Sequence, residues 1–230
     1  MLKKLQKTKT DDAEKLAWLR LIRTENVGPV SFYRLVEAYG SAARALEKIP
    51  ALAARGGRSK PLNIPPAGIV EKEYEDLRRI GGDIVTAADE HYPLALSALE
   101  DAPPVLSYLG DPALLNKSCI AMVGARNASL NGKKFAEKLA RDLGKAGQVV
   151  VSGLARGIDT ASHVGALDTG TIAVVAGGID VVYPPENQKL YEAIRERGLI
   201  LAESPLAQQP FAQSFPRRNR IVSGLAAGVV

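Results

Sequence analysis

Apolar positions recur at helical spacing over the first part of the chain. In the segment DAEKLAWLRLIRT, Leu16, Leu19 and Ile22 fall on one face, and acids stand at its start, where the helix dipole favours them. A turn at Gly28 and Pro29 follows. Phe32, Leu35, Val36 and Tyr39 then mark a second helix that Gly40 stops. The pair predicts a helical hairpin, with a third short helix over residues 41–46, so that residues 11–49 form a small all-helical domain. Residues 1–10 carry four lysines and little to bury, which predicts a mobile basic arm. Residues 50–68 mix glycine, proline and basic side chains and read as a linker.

The period changes over residues 69–230. VEKEYEDLRRIGG reads as a helix, DIVTAAD as a short strand, and residues 105–109 as another strand after a proline-broken stretch. From Lys117 onward the alternation is regular: strand at residues 119–123, glycine turn, helix at about 132–146, strand at 149–151, second glycine turn and helix start. TIAVVAGG, YPPENQKLYEAIRERG and LILAE continue it as strand, turn plus helix, and strand. These strands are almost continuously apolar, as they are when helices cover both faces of a parallel sheet. The fold class predicted is α/β, an extended Rossmann-like, mostly parallel sheet behind a small helical domain.

Composition narrows the function classes. With 46% hydrophobic and 24% charged residues the chain is an ordinary globular protein and not a disordered one. A net charge of +5 favours polyanionic partners. Cys119 is the only cysteine, which excludes an intramolecular disulfide and fits a reducing compartment; its apolar surroundings make it a buried bystander. No leader-like segment or spanning apolar run is visible, so the expectation is a cytoplasmic protein with no membrane partner.

Candidate chemistry sits in the loops at strand ends, where parallel sheets bind ligands. VGARNAS contributes Gly124, for a sharp exit from its strand, and Arg126, a planar fork of donors. VSGLARGID contributes Ser152, Gly153, Arg156 and Gly157 ahead of a helix whose N-terminal amides face an anion. AGGIDVVYPPEN places Gly177 and Gly178 at its strand end, with Asp180 and Tyr183 beyond. The densest basic cluster is SFPRRNRIVSG, with Arg217, Arg218 and Arg220 in four positions and no acid after Glu203. Neither GxGxxG nor GxxxxGK[ST] occurs in these loops, and Ser152 lacks a nucleophile elbow. The two histidines, His91 and His163, and the lone cysteine form no local metal or Cys/His motif. Asp159, Asp180 and Glu203 are scattered carboxylates. This pattern points to anion binding without catalysis, cofactor or metal.

The combination of VGARNAS, SGLARGID, YPPEN and FPRRNRIVSGL, in that order, resembles the DNA-processing protein A (Smf) family over residues 69–230. The N-terminal hairpin resembles that family's small helical domain. The resemblance implies a cytosolic bacterial protein that binds single-stranded DNA entering during natural transformation. Such a protein protects the strand, forms a homodimer and loads the RecA recombinase, with no enzymatic step. Carried onto this sequence, it implies a phosphate-contacting loop at Gly124, Ala125 and Arg126, where many members have serine in place of Ala125. It implies a second loop from Ser152 through Gly157, and a basic loop at Phe215, Pro216, Arg217, Arg218, Asn219 and Arg220. In that loop the arginines wall the groove and Asn219 orders the turn. Tyr183, Phe211 and Phe215 are candidates for base stacking. Family members continue past residues 228–230, where this sequence ends as a strand begins, which puts dimerisation and RecA contact outside what these residues support.

Two other classes stay open at this point. One is a nucleotide-processing Rossmann-like hydrolase of the phosphoribohydrolase kind, although no catalytic acid stands beside a glycine-threonine phosphate loop. The other is a basic adaptor that meets acidic protein surfaces. The helical hairpin is itself a possible nucleic-acid module, since a glycine turn between helices presents backbone amides to phosphate.

Overall fold

The computed structural model describes residues 10–55 and 62–230. Most of the expected basic arm and the middle of the expected linker therefore lie outside the described residues. Helix α1 (Asp12–Ile22) starts at Asp11, whose carboxylate accepts from the Glu14 amide at 2.8 Å. Helix α2 (Pro29–Tyr39) begins with proline, whose missing N–H is no loss in a first turn, and ends at Gly40 with φ of +82°. Trp18 packs against Phe32 with the rings tilted and their centroids 4.8 Å apart in the hairpin core. Helix α3 runs from Ala42 to Arg55, well past the expected 41–46. Ala42, Ala45 and Ile49, spaced i, i+3, i+7, stay buried against α1 and α2 and carry the helix through Pro50.

The rest of the chain follows as α4 (Ala67–Arg79), β1 (Asp83–Thr86), α5 (Leu94–Ser97), β2 (Val105–Gly110), β3 (Cys119–Ala121), α6 (Leu130–Lys145), β4 (Val149–Ser152), α7 (Ile158–Ala166), β5 (Thr171–Val174), α8 (Gln188–Arg197), β6 (Leu199–Ala202), α9 (Ser214–Leu225) and β7 (Gly228–Val229). Seven strands form one sheet in the order β1-β2-β6-β5-β4-β3-β7. The five strands from β6 to β7 pair in parallel, while β2 joins β6, and β1 joins β2, antiparallel. The sheet is therefore mostly parallel, with an antiparallel extension at one edge.

Alternating side chains of β4 separate the two faces. Val150 packs with Ala136, Ala140 and Ala161 of α6 and α7, whereas Val149 and Val151 join the larger core with Ile221, Val222 and Leu225 of α9. That larger core also contains Trp18, Phe32 and Ile49, so the helical hairpin and the sheet share one apolar interior. Polar ties span the same junction. Arg23 forks onto Glu73 at 2.9 Å and reaches the Glu203 carbonyl at 3.1 Å, and Lys15 meets Asp83 at 3.1 Å.

The region expected to be a basic loop before a strand is helix α9. Pro216 falls in its first turn, where no backbone donor is needed, and Gly224 allows close approach to α5: a Cβ there would come within 2.8 Å of Leu96. Cys119 is buried, and burial pushes its thiol up to about 11. No helix among the described residues is long and apolar enough to cross a membrane.

Candidate nucleic-acid interface

The chain leaves β3 for β4 on one side and returns from β6 through α9 to β7 on the other. The strand order thus reverses at β3, and a crevice opens beyond the carboxyl ends of the parallel strands. The first loop, residues 123–129, lies against the start of α7. A Cβ on Gly124 would come within 2.6 Å of Ile158, so glycine here serves close packing. The loop ends at Ser129, whose hydroxyl accepts from the Gly132 amide at 3.1 Å and caps α6. Gly157, at φ of +80°, closes the second loop against the first, with the Arg126 carbonyl 2.6 Å from where a Cβ would stand.

The second loop is held from within. Ser152 is fully buried and donates to the Met122 carbonyl at 2.6 Å. Buried Asp159 accepts from the amides of Gly153 at 3.2 Å and Ala155 at 3.3 Å. Burial raises its carboxyl above the ordinary range, opposed by the nearby Arg218 guanidinium and by those amides. Asn187 donates to the Leu154 carbonyl at 2.9 Å and to Thr160 at 3.0 Å, fixing Leu154 at its positive φ of 57°. The Ile158 and Thr160 amides go to the carbonyls of Ala125 and Ala155. Two amides expected to serve an anion at the α7 N-terminus are thus already taken by carbonyls, and the protein's own Asp159 carboxylate takes two amides of the loop before it.

Arg218 lies beneath both loops. It is 6% exposed and donates to the Val174 carbonyl at 2.7 Å and to the Gly153 carbonyl. Burial lowers its pKa, and Asp159 opposes that shift. Gly153 has no side chain because the guanidinium occupies the space a Cβ would need. Two adjoining cavities meet over this cation. The first, about 250 Å³, is bordered by Arg126, Asn127, Arg156, Tyr183 and Phe215. The second, about 320 Å³, lies toward the helical hairpin and is bordered by Arg23, Gln208, Phe211 and Arg217.

Several expected site residues converge here. The Arg126 guanidinium lies 5.2 Å from the Phe215 ring centroid, and Phe215 lies 5.7 Å from the ring of Tyr183, which is 47% exposed. Cation, ring and ring form one platform at the mouth of the first cavity. Arg156 is exposed and ion-paired with Glu186 across the loops. Arg217 is exposed at the second cavity, and Phe211 borders that cavity away from the Tyr183 platform.

Other expectations change. The three clustered arginines do not form one wall, because a helix sends successive side chains in different directions. Arg217 faces solvent, Arg218 is interior, and Arg220 pairs with Glu203 at 2.5 Å and Asp101 at 3.3 Å. Asn219 orders no turn; it is exposed on α9 and accepts from Arg218 Nε at 3.1 Å. Ser152 presents no hydroxyl to a ligand. Asp159, Asp180 and Glu203 serve separate tasks: Asp180 accepts from the Ala207 amide at 2.8 Å. Sequence reasoning missed Asn187, the clamp of the second loop, and Asp101 and Glu203 as counter-ions of Arg220. The only signal for Asn187 was its position closing YPPEN, and the counter-ions come from distant segments.

Residues 83–230 match the family model described as DNA recombination-mediator protein A, and residues 12–75 match a DprA-like N-terminal HHH domain. The chain is 45% identical over 144 residues to DNA processing protein DprA of Streptococcus pneumoniae, covering 62% of this chain and 51% of that protein. It is 32% identical over 237 residues to Protein Smf of Synechocystis, covering 95% and 58%. The chain thus spans 51% to 58% of the length of these two relatives. The X-ray structure of S. pneumoniae DprA superposes with a TM-score of 0.78 at 32% identity, over 96% of this chain and 77% of that one. A structure of DNA processing protein A from Helicobacter pylori, described for its single-stranded DNA binding mode, superposes with a TM-score of 0.60 at 35% identity, over 64% and 67%. The two family models follow one another along the sequence as the helical hairpin and the sheet do, and the chain belongs to the DNA recombination-mediator protein A family.

Proposed function

We propose that this chain binds single-stranded DNA in the crevice at the strand ends, without reading base identity and without catalysis. The platform of Arg126, Phe215 and Tyr183 above buried Arg218 carries the reading: it sets flat rings for unpaired bases beside fixed cations for phosphates. Arg156 exchanges its Glu186 partner for a phosphate, and Arg217 takes another at the second cavity. Gly124, Ala125, Gly153 and Gly157 shape the two loops around the strand, and Phe211 offers a further ring. Duplex DNA stacks its bases internally and has no free ring face for this platform, so the strand must be single. Asp159, Asp180 and Glu203 are committed to amides or guanidinium groups, which supports a binding role over turnover. Family membership extends the reading to its biological setting. The bound strand is DNA entering the cytoplasm during natural transformation, protected and passed to RecA, with the homodimer belonging to the longer members of the family.

The test is a fluorescence anisotropy titration of an oligothymidine and its duplex at several salt concentrations. Tighter single-strand binding is expected, with the constant falling as salt rises. Arg126→Ala and Arg217→Ala each lower the slope of log K against log salt by about 0.7, one single-strand phosphate contact apiece. Phe215→Ala weakens binding by about 5- to 100-fold, as loss of one stacked base does. Unchanged binding in all three variants, or release of free base or nucleotide from the oligomer, overturns the reading.

A further inference from the structure

The crevice accounts for Arg126 but not for the helix that its loop feeds. α6 carries five basic residues against two acidic ones over its 16 residues. Ala136 and Ala140 are buried, with Leu139 and Leu143 partly so, which turns one face to the sheet and the opposite face to solvent. Lys134, Lys138, Arg141 and Lys145, at i, i+4, i+7 and i+11, form a single exposed row along that outer face. At about 1.5 Å rise per residue the row is about 17 Å long. Glu137 holds Arg141 at 2.6 Å, and Asp142 flanks the row. Among the described residues none of the three lysines has an acidic partner. Beside the row stands Phe135, 67% exposed, with Leu130 68% exposed at the first turn. A large aromatic ring left in water among lysines is poor packing for a solvated helix face and suits a stacking surface. Ser129 caps the helix directly after the loop that holds Arg126, so the row begins at the rim of the crevice and leads away from it.

We infer that α6 is a second segment of the nucleic-acid track: a strand leaving the crevice past Arg126 continues down the outer face of the helix, with Lys134, Lys138 and Lys145 on its phosphates and Phe135 against a base. The inference rests on the crevice being the primary single-strand site. It makes the binding site longer than the crevice alone, and it separates short strands, which fill only the crevice, from long ones, which reach both segments.

The experiment compares oligothymidines of about 6 and about 20 nucleotides on the full chain and on a Lys134→Gln, Lys138→Gln, Lys145→Gln variant; site sizes of about 4–16 nucleotides per single-strand module set these lengths. Glutamine keeps helix propensity and the exposed positions, so the fold is retained, as circular dichroism checks. The variant should bind the short strand as the parent does. For the long strand its salt slope should fall by about 2, and its affinity by roughly 10- to 100-fold near 0.1 M salt. Phe135→Ala should weaken long-strand binding severalfold with the slope unchanged. Equal long-strand affinity in variant and parent overturns the second segment and leaves the row to another partner. Equal losses for both lengths also overturn it, since they mark a general field instead of a track. Failure of the parent to bind the short strand at all counts instead against the crevice.

Discussion

Arg217, Arg218 and Arg220 are near neighbours in sequence and occupy three different environments. Arg218 is a strut whose fork satisfies carbonyls from two strand ends, so its charge reaches the crevice as a field from below. A lysine there keeps the charge but cannot serve both carbonyls. Arg218→Lys is expected to destabilise by about 2 kcal/mol, the scale of a lost charged hydrogen bond. That lowers the melting temperature by about 4–8 °C for a chain of this size. Arg217→Ala should stay within about 0.5 kcal/mol of the parent, as exposed substitutions do. Thermal melts of the two variants side by side decide it; equal melting temperatures contradict the division of roles. His163 is a second residue with its chemistry set by burial. Thr171 spends its hydroxyl proton on the Val150 carbonyl at 2.9 Å, so His163 Nδ1 is the donor in its 2.7 Å bond to Thr171. Nε2 then has no partner among the described residues. Burial, with Arg218 adding to it, pulls the imidazole down to about 3. A folded value below the unfolded value of about 6.5 means the neutral ring's contribution is complete above pH 6.5. It is lost as pH falls toward 3, at up to about 1.4 kcal/mol per pH unit. Asp159 and Glu203, raised by burial, act with the opposite sign. Urea denaturation of the parent and His163→Asn at pH 7 and 5 should therefore show a smaller acid loss in the variant. Parallel losses contradict the assignment.

At the scale of elements, what sequence makes legible depends on whether burial and hydropathy coincide. They do in the hairpin and in strands β3 to β6, where apolar residues fill the buried positions apart from Ser152 and Thr171, and those elements follow their patterns. In α9 they diverge. Its buried face is Ser214, Arg218, Ile221, Val222 and Leu225, spaced i, i+4, i+7, i+8 and i+11. Two members of that helical stripe are polar, so a search for apolar periodicity finds only its second half and reads the first as a loop. The candidate loops were legible from glycines at strand ends, but the reasons for the glycines were not: Gly124 meets Ile158 and Gly153 makes room for a distant arginine. Gly157 joins the two loops, and Gly157→Ala places a Cβ against the Ala125 and Arg126 carbonyls at a φ that side chains avoid. A loss of about 1–3 kcal/mol is expected. Single-strand affinity should fall by more than in an equally destabilised core variant such as Ile172→Val. Equal affinities in the two would show that the loop-to-loop contact does not shape the site.

Over the whole molecule, the helical hairpin and the sheet form one interior with a basic crevice at their junction. Arg23 of the hairpin and Arg217 of α9 border the same cavity, while the Tyr183 and Phe215 platform lies over the neighbouring one. The hairpin thus contributes a wall to the crevice, the strand-end loops supply Tyr183, Arg126 and Arg156, and α9 supplies Phe215, Arg217 and Arg218. Photochemical crosslinking separates this arrangement from one in which the hairpin turn is the nucleic-acid module. An oligothymidine carrying 5-iodouracil at successive positions is bound to the full chain, irradiated and digested, and the attached peptides are identified by mass spectrometry. The crevice account predicts adducts on peptides containing Tyr183 and Phe215, reduced by Tyr183→Leu and Phe215→Leu. Adducts confined to residues 24–52, unaffected by those substitutions, would contradict it.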